Sequence, residues 1–153
     1  MSNIEQIKND EVPYELLFLA DEDDNQILKY INTATFWGYF KENEIIGVVG
    51  VVSSNESIEI VNIAVRQESQ NKGIGRSLIE RCINEAKNRN MKTIVIKTGN
   101  SSINQLCLYQ KYGFRFDTIN KDYMLKNYSS PIFENGIQCI DQIVLKLDLN
   151  TNE

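Results

Sequence analysis

The chain has 153 residues, of which 42% are hydrophobic and 24% charged, a composition that excludes intrinsic disorder and predicts one folded domain over 1–153. Its net charge of −5 argues against nucleic acid as the main partner. The absence of histidine excludes Ser–His and Cys–His catalysis and any metal site that requires histidine.

The start of the chain, MSNIEQIKNDE, is polar and acidic, unlike the basic and then apolar start of a signal peptide. No apolar run approaches the roughly 18 residues of a membrane-spanning helix. We therefore expect a cytoplasmic protein with no membrane partner. Three cysteines, Cys82, Cys107 and Cys139, lack the spacing of disulfide or metal sites and are expected to be small buried side chains.

The first half of the chain predicts two helices and an antiparallel sheet. A short strand at Ser2–Ile7 precedes the stretch VPYELLFLA, where Pro13 suits the first turn of a helix. The acidic run Asp21–Asp24 predicts a loop that ends in the N-cap of a second helix. Three strand-like runs joined by tight turns follow, TATFWGYF, EIIGVVGVV and SIEIVNIAV.

The second half alternates helices and strands. Helical spacing of apolar residues in GRSLIERCINEAKN predicts a helix over 75–88. The elements expected after it are a strand at Met91–Gly99, a helix at Ser102–Tyr112 ended by Gly113, and strands at Phe114–Ile119 and Ile140–Leu149. Because parallel strands need crossover connections, this order predicts a mixed sheet, antiparallel first and parallel later.

Two glycines precede the long helix in the stretch QNKGIGRSL, residues 70–78. The first amides of a helix are unpaired and carry partial positive charge, and glycine lets a phosphate approach them. Lys72 and Arg76 add positive charge. A P-loop would require lysine after Gly75, and a dinucleotide fold would require glycine in place of Leu78. An anion cradle and a plain turn stay as the two interpretations.

Two motifs resemble those of the GNAT superfamily of N-acetyltransferases. The stretch VRQESQNKGIGRSLIERCINEA is similar to the acetyl-CoA motif, Gln/Arg-x-x-Gly-x-Gly/Ala, through Gln70, Gly73 and Gly75. The stretch NQLCLYQKYGF is similar to the second signature of the family. Its matching positions are Asn104, Tyr109, Gly113 and Phe114. The C-terminal part of the chain also resembles that of a bacterial subgroup of acetyltransferases.

The resemblance implies an α/β GNAT fold, a mixed central sheet with antiparallel N-terminal strands and a parallel pair splayed at a bulge, flanked by helices. It implies acetyl-CoA as co-substrate and no metal. The diphosphate of CoA is then expected on the main chain of Gln70, Asn71, Lys72, Gly73, Ile74, Gly75 and Arg76. The pantetheine arm is expected along Ile63, Ala64 and Val65 and near Asn104, with a main-chain amide holding the oxyanion.

Two side chains are candidate catalytic groups. An alkyl amine must lose a proton before it attacks the thioester. Glu59 is the candidate base because it is polar within an apolar strand; alternatively, Glu59 is an ordinary outward-facing strand residue. The resemblance makes Tyr109 the candidate donor to the departing CoA thiolate; an aromatic packed on the sheet is the alternative. Direct transfer in a ternary complex is favoured over an acetyl-cysteine at Cys107, because no histidine activates that thiol.

The acceptor implied by the resemblance is an amine on a small molecule or a protein. Asp21–Asp24 or Glu134 are candidates for binding a second positive charge on a polyamine or aminoglycoside. The aromatic side chains expected to line the acceptor-binding site are Tyr14, Phe18, Phe36, Trp37, Tyr123 and Phe133. Two alternative functions stay open, a non-catalytic regulatory module that binds acyl-CoA and an interaction protein. The chain could act as a monomer or as a homodimer.

Overall fold

The computed structural model describes residues 3–149, so Ser2 of the predicted first strand lies outside the described residues. The strands are β1 (Ile4–Ile7), β2 (Thr35–Lys41), β3 (Glu44–Ser53), β4 (Ser57–Val65), β5 (Thr93–Gly99), β6 (Arg115–Asn120), β7 (Phe133–Glu134), β8 (Ile137–Gln138) and β9 (Gln142–Asp148). The α-helices are α1 (Tyr14–Ala20), α2 (Asp24–Leu28), α3 (Ile74–Asn88), α4 (Ile103–Lys111) and α5 (Tyr123–Asn127).

Seven of these strands form one mixed sheet in the order β1-β2-β3-β4-β5-β9-β6. The first four strands pair antiparallel, as predicted, and β4 pairs parallel with β5. The prediction of a parallel second half is correct only for that pair. β9 lies between β5 and β6 in the sheet and pairs antiparallel with both. The sequence did not predict α5, β7 or β8, since such short elements show too little periodicity.

A bulge interrupts β4 at Val61. Asn62 pairs with Gly50 of β3 and Ile60 pairs with Val51, so Val61 is the extra residue. A bulge changes the face to which the following side chains point. Ile60 therefore packs in the core beneath α3, whereas the side chain of Asn62 bonds to α1 on the other face.

The parallel pair separates at this bulge. Pairing between β4 and β5 ends at Ile60 and Ile96, and the residues from Val61 to Val65 have no partner in β5. Beyond Ile96, β5 continues to Gly99 and pairs with β9 alone. The expectation of a parallel pair splayed at a bulge is confirmed.

Two apolar clusters hold helices on opposite faces of the sheet. Phe36 and Trp37 are neighbours on β2, so their side chains point to opposite faces, one into each cluster. One cluster includes α3 and α4, and the other α1 and α2. Phe36 is 0% exposed and Trp37 3%, so both are core residues and not walls of a binding site. Cys82 and Cys139 are buried as expected, but Cys107 is exposed.

None of the helices within residues 3–149 has the length and apolar character needed to cross a membrane. The predicted hairpin between β2 and β3 is confirmed. Its turn residues Glu42 and Asn43 both have positive φ, at 52° and 68°. This is the backbone twist that two-residue hairpins favour.

The packing at Gly50 gives a test of the fold. A Cβ added there would overlap the ring of Phe36, whereas one added at Gly75 would meet no atom within 4 Å. We expect Gly50→Ala to lower the free energy of unfolding by about 1–3 kcal/mol through overpacking. Gly75→Ala should leave it unchanged or raise it by up to about 1 kcal/mol. Chemical denaturation measures both, and equal effects would contradict this packing.

Candidate active site

The loop between β4 and α3 presents unpaired main-chain amides. Gly73 caps α3 with φ of 85°, a left-handed conformation that glycine adopts without strain. The amide of Gln70 donates to Gln67, but those of residues 71–76 donate to no other residue in the described range. A Cβ at Gly73 or Gly75 would meet nothing within 4 Å, so the approach to these amides is open. The loop therefore has the geometry of an anion cradle.

Two exposed cations flank this cradle. Arg76 lies 3.4 Å from Glu80 and 5.8 Å from the centroid of the Tyr112 ring. Exposed ion pairs are weak, so Arg76 stays available to an anion. Lys72 forms no ion pair with another of residues 3–149. The charge predicted around the two glycines is therefore in place.

The splayed end of β4 directs main-chain groups into the gap beside β5. The amide of Arg66 donates to Ile46 of β3 at 2.8 Å. Because successive strand residues direct their main-chain groups to opposite edges, Ile63 and Val65 direct theirs away from β3. The Val65 carbonyl oxygen accepts a hydrogen bond from the Gln70 side chain at 3.0 Å. The amides of Ile63 and Val65 suit an extended ligand lying alongside β4 like an added strand.

Tyr109 lies on α4 and is 6% exposed. Its ring centroid is 6.2 Å from that of Phe114, and it belongs to the same apolar cluster as Ile60 and Ile96, the last β4–β5 pair. Burial raises the pKa of its hydroxyl above the ordinary value, so the group keeps its proton at neutral pH. That hydroxyl forms no hydrogen bond with another described residue. Asn104 lies exposed in the first turn of α4.

Glu59 lies on β4 before the bulge, on the sheet face opposite α3. Its Oε2 is 3.3 Å from Nζ of Lys97, and both side chains are about a third exposed, at 35% and 34%. The two residues line a shallow polar cleft together with Val52 of β3. Since Tyr109 packs on the opposite face, one ligand reaches both residues only through the gap between β4 and β5. For Glu59 to act as a base, the acceptor amine must displace the Lys97 ammonium from the Glu59 carboxylate.

Comparisons with known proteins identify the family of the chain. Residues 3–114 match the model of the acetyltransferase (GNAT) family. The chain belongs to the GNAT acetyltransferase family. It is also 44% identical, over 142 residues, to the uncharacterised N-acetyltransferase YvbK of Bacillus subtilis (strain 168), covering 92% of this chain and 91% of that protein.

Solved GNAT structures resemble the chain over nearly its whole length. A GNAT acetyltransferase from Elizabethkingia anophelis, solved with acetyl-CoA bound, superposes with a TM-score of 0.90 at 44% identity, covering 95% of this chain and 96% of that one. A Bacillus subtilis acetyltransferase solved in complex with CoA gives a TM-score of 0.87 at 42% identity, with 97% and 99% covered. The GNAT fold expected from the two motifs is confirmed.

On the other face of this GNAT sheet lies a group of residues that sequence analysis missed as a unit. The Asp21 carboxylate accepts hydrogen bonds from the hydroxyls of Tyr30 at 3.2 Å and Tyr128 at 2.7 Å. The Tyr30 hydroxyl in turn accepts one from Nδ2 of Asn62 at 2.9 Å. We call these four residues the Asp21 cluster. They come from distant parts of the chain, and the sequence indicated Asp21 as part of an acidic run but not its partners.

Asp23, two positions later, has a structural role. It caps α2, accepting from the Asn25 amide at 2.9 Å. The acidic run predicted a cap at its last residue, Asp24, but the helix starts one residue earlier, so Asp24 lies in its first turn. It also accepts from the amide and the hydroxyl of Ser129, at 2.9 and 3.0 Å. The Ser129 amide is the main cause of a lowered pKa at Asp23. Asp23 therefore ties the segment after α5 to the α1–α2 loop, beside the Asp21 cluster.

Proposed function

We propose that this GNAT protein transfers the acetyl group of acetyl-CoA to a primary amine of a small molecule or protein by direct attack in a ternary complex. One observation carries the proposal. The unpaired amides of residues 71–76 follow, after one short turn at residues 66–70, a β4 strand that has separated from β5. A diphosphate site and a main-chain slot for an extended arm thus form one continuous surface. Relatives solved with acetyl-CoA and CoA support this reading.

In this proposal the chain binds acetyl-CoA mainly through its backbone. The diphosphate lies on the amides of residues 71–76, with Lys72 and Arg76 beside it. The pantetheine arm follows the main chain of Ile63, Ala64 and Val65, and Asn104 bonds to it from α4. A main-chain amide in that stretch, directed into the gap, stabilises the thioester oxygen as it becomes an oxyanion.

Glu59 is the proposed base, acting directly or through one water. It takes the proton of the acceptor ammonium, and the nitrogen lone pair then attacks the thioester carbonyl carbon. The carbon–sulfur bond breaks as the tetrahedral intermediate collapses, the CoA thiolate leaves, and the second proton on the attacking nitrogen passes to water to give the neutral amide. With Glu59 as the base, the proposed acceptor lies on the face that carries α1 and α2.

Tyr109 is the proposed donor to the leaving thiolate. Because burial raises the pKa of the Tyr109 hydroxyl, full proton transfer to sulfur is less favourable than for an ordinary phenol. A hydrogen bond from the intact hydroxyl to the thiolate is therefore the proposed contribution. Its lack of a bond to other described residues leaves that proton available to the ligand.

The cradle is tested by Gly75→Glu, which puts a carboxylate and its bulk beside the diphosphate. We expect the Kd for CoA to rise at least about tenfold, or about 1.4 kcal/mol. Asn88→Glu adds the same charge at the far end of α3 and should leave the Kd unchanged. Isothermal calorimetry measures both, and an unaltered Kd in Gly75→Glu would refute the cradle. Binding of acetyl-CoA without thiol release on any amine would favour the regulatory module.

Replacing Glu59 tests the base. Glu59→Gln keeps the shape of the side chain but cannot accept the proton, so kcat/KM should fall about 10²-fold or more. The loss should shrink at high pH, where the amine is already neutral. Lys97→Met removes only the ion-pair partner and should keep the activity. A rate profile across pH that is the same in Glu59→Gln and in the unaltered protein would exclude Glu59.

Tyr109→Phe tests the donor. Removing a buried hydroxyl that bonds to no described residue should not lower the free energy of unfolding. It should lower kcat about 10²-fold while changing the KM for acetyl-CoA little. Tyr112→Phe, on the residue that directly follows α4, is the matched control and should keep kcat. Full kcat in Tyr109→Phe, measured with saturating acetyl-CoA, would assign Tyr109 to packing alone.

A further inference from the structure

We propose that the Asp21 cluster binds a second positive charge of the acceptor, so that the preferred acceptor is a short diamine. The reacting nitrogen would lie at Asn62 and the distant ammonium at the Asp21 carboxylate. This inference rests on the proposed function, which places the acetyl group at the separated end of β4.

The position of the cluster links it to the transfer site. Asn62 is the first residue of β4 beyond the bulge, where the gap beside β5 opens. From there, hydrogen bonds of 2.9 and 3.2 Å lead through the Tyr30 hydroxyl to the Asp21 carboxylate. Tyr128 reaches the same carboxylate from the segment that follows α5. The two ends of the cluster are thus separated by two hydrogen bonds, a span that suits the two nitrogens of a short diamine.

The Asn62 side chain supplies an observation independent of charge. It is 4% exposed, and its Nδ2 donates to the Leu17 carbonyl oxygen at 3.0 Å and to Tyr30 at 2.9 Å. The Leu17 carbonyl oxygen can only accept, and the Tyr30 proton is used on Asp21, so both contacts require the NH₂ group of Asn62 and fix the orientation of the amide. The Oδ1 of Asn62 is then left without a hydrogen-bond partner within residues 3–149. A buried carbonyl oxygen of this kind is matched by the N–H of an amine.

The Asp21 carboxylate has no cation in direct contact among the described residues. It forms no ion pair with another residue in the described part of the chain, and its close partners are the hydroxyls of Tyr30 and Tyr128. The other charged groups that act on it are Asp23 and Lys29. The Lys29 ammonium donates to Oε1 of Gln26 at 3.2 Å and is not bound to the carboxylate.

The pKa of the neighbouring Tyr14 is raised in part by the same negative charges. Its hydrogen bond to Asp24, followed by burial and the charges of Asp24, Asp21 and Asp23, raises the pKa of Tyr14 to about 12. A ligand ammonium supplies the positive charge that this end of the site lacks.

The pKa of Asp21 is also consistent with a ligand-binding role for this residue. Burial raises its pKa above 3.8, opposed by the hydrogen bonds from Tyr128 and Tyr30. A carboxyl with a raised pKa in the folded state contributes stability at low pH, and that stability is lost as the pH rises through the raised value. At neutral pH the charged Asp21 therefore weakens the fold, a cost that proteins retain where the group has a function.

Matched acceptors test the inference. Thiol release from acetyl-CoA is followed with 1,4-diaminobutane and with butylamine, which has the same carbon chain and one ammonium. We expect kcat/KM for the diamine to be at least about tenfold higher. Asp21→Asn should remove this preference by raising the KM for the diamine. Glu22→Gln removes one charge from the same loop at an exposed position and should keep the preference.

Further readouts separate binding from folding and from catalysis. The thermal midpoint of Asp21→Asn at neutral pH should equal or exceed that of the unaltered protein, so lost selectivity is not unfolding. Calorimetry with the diamine alone reads the site without turnover, and uptake that Asp21→Asn loses supports the inference even where no amine is acetylated. No uptake, equal kcat/KM for the two amines, or a preference that survives in Asp21→Asn overturns it. Failure of acetyl-CoA to bind would instead refute the proposed function.

Discussion

The extra residue at Val61 is the constraint on which the rest of the site depends. It ends the pairing of β4 with β5 after Ile60, and main-chain groups that would have bonded a neighbouring strand are left facing a gap. It also turns Asn62 toward α1, where the side chain joins the cluster around Asp21. One local irregularity thus creates both the gap in which we propose that the cofactor arm lies and the first polar contact on the proposed acceptor face.

The two sides of the site are built by different physical means. On the proposed cofactor side, the binding groups are amides of the backbone, so the side chains of Ile63 and Val65 stay free to pack against the core. On the proposed acceptor side, the binding groups are side chains that converge from separate elements. Asp21 and Asp23 illustrate the division, because burial raises the pKa of the first and hydrogen bonds lower that of the second. The first suits a ligand, and the second holds the loop that presents it.

Sequence reasoning succeeded where the determining interactions are local. The tight turn at Glu42–Asn43 follows from neighbouring residues, and so does a helix cap within the acidic run, although the cap is Asp23 and not the last residue of the run. It failed for β9, whose insertion between β5 and β6 depends on pairing between distant segments. The Lys97 partner of Glu59 and the Tyr128 partner of Asp21 were hidden for the same reason. A single sequence shows which residues can react but not which distant residues they meet.

The most direct measurement is a titration of the ¹⁵N-labelled protein with CoA, followed by amide chemical shifts. If the diphosphate lies on the start of α3 and the arm along β4, the amides of residues 71–76 and of Ile63 and Val65 should shift most. Pantetheine lacks the diphosphate, so its binding should leave the amide chemical shifts of residues 71–76 unchanged. Binding that moves amides elsewhere and leaves these unchanged, or no binding of CoA at all, would contradict the account.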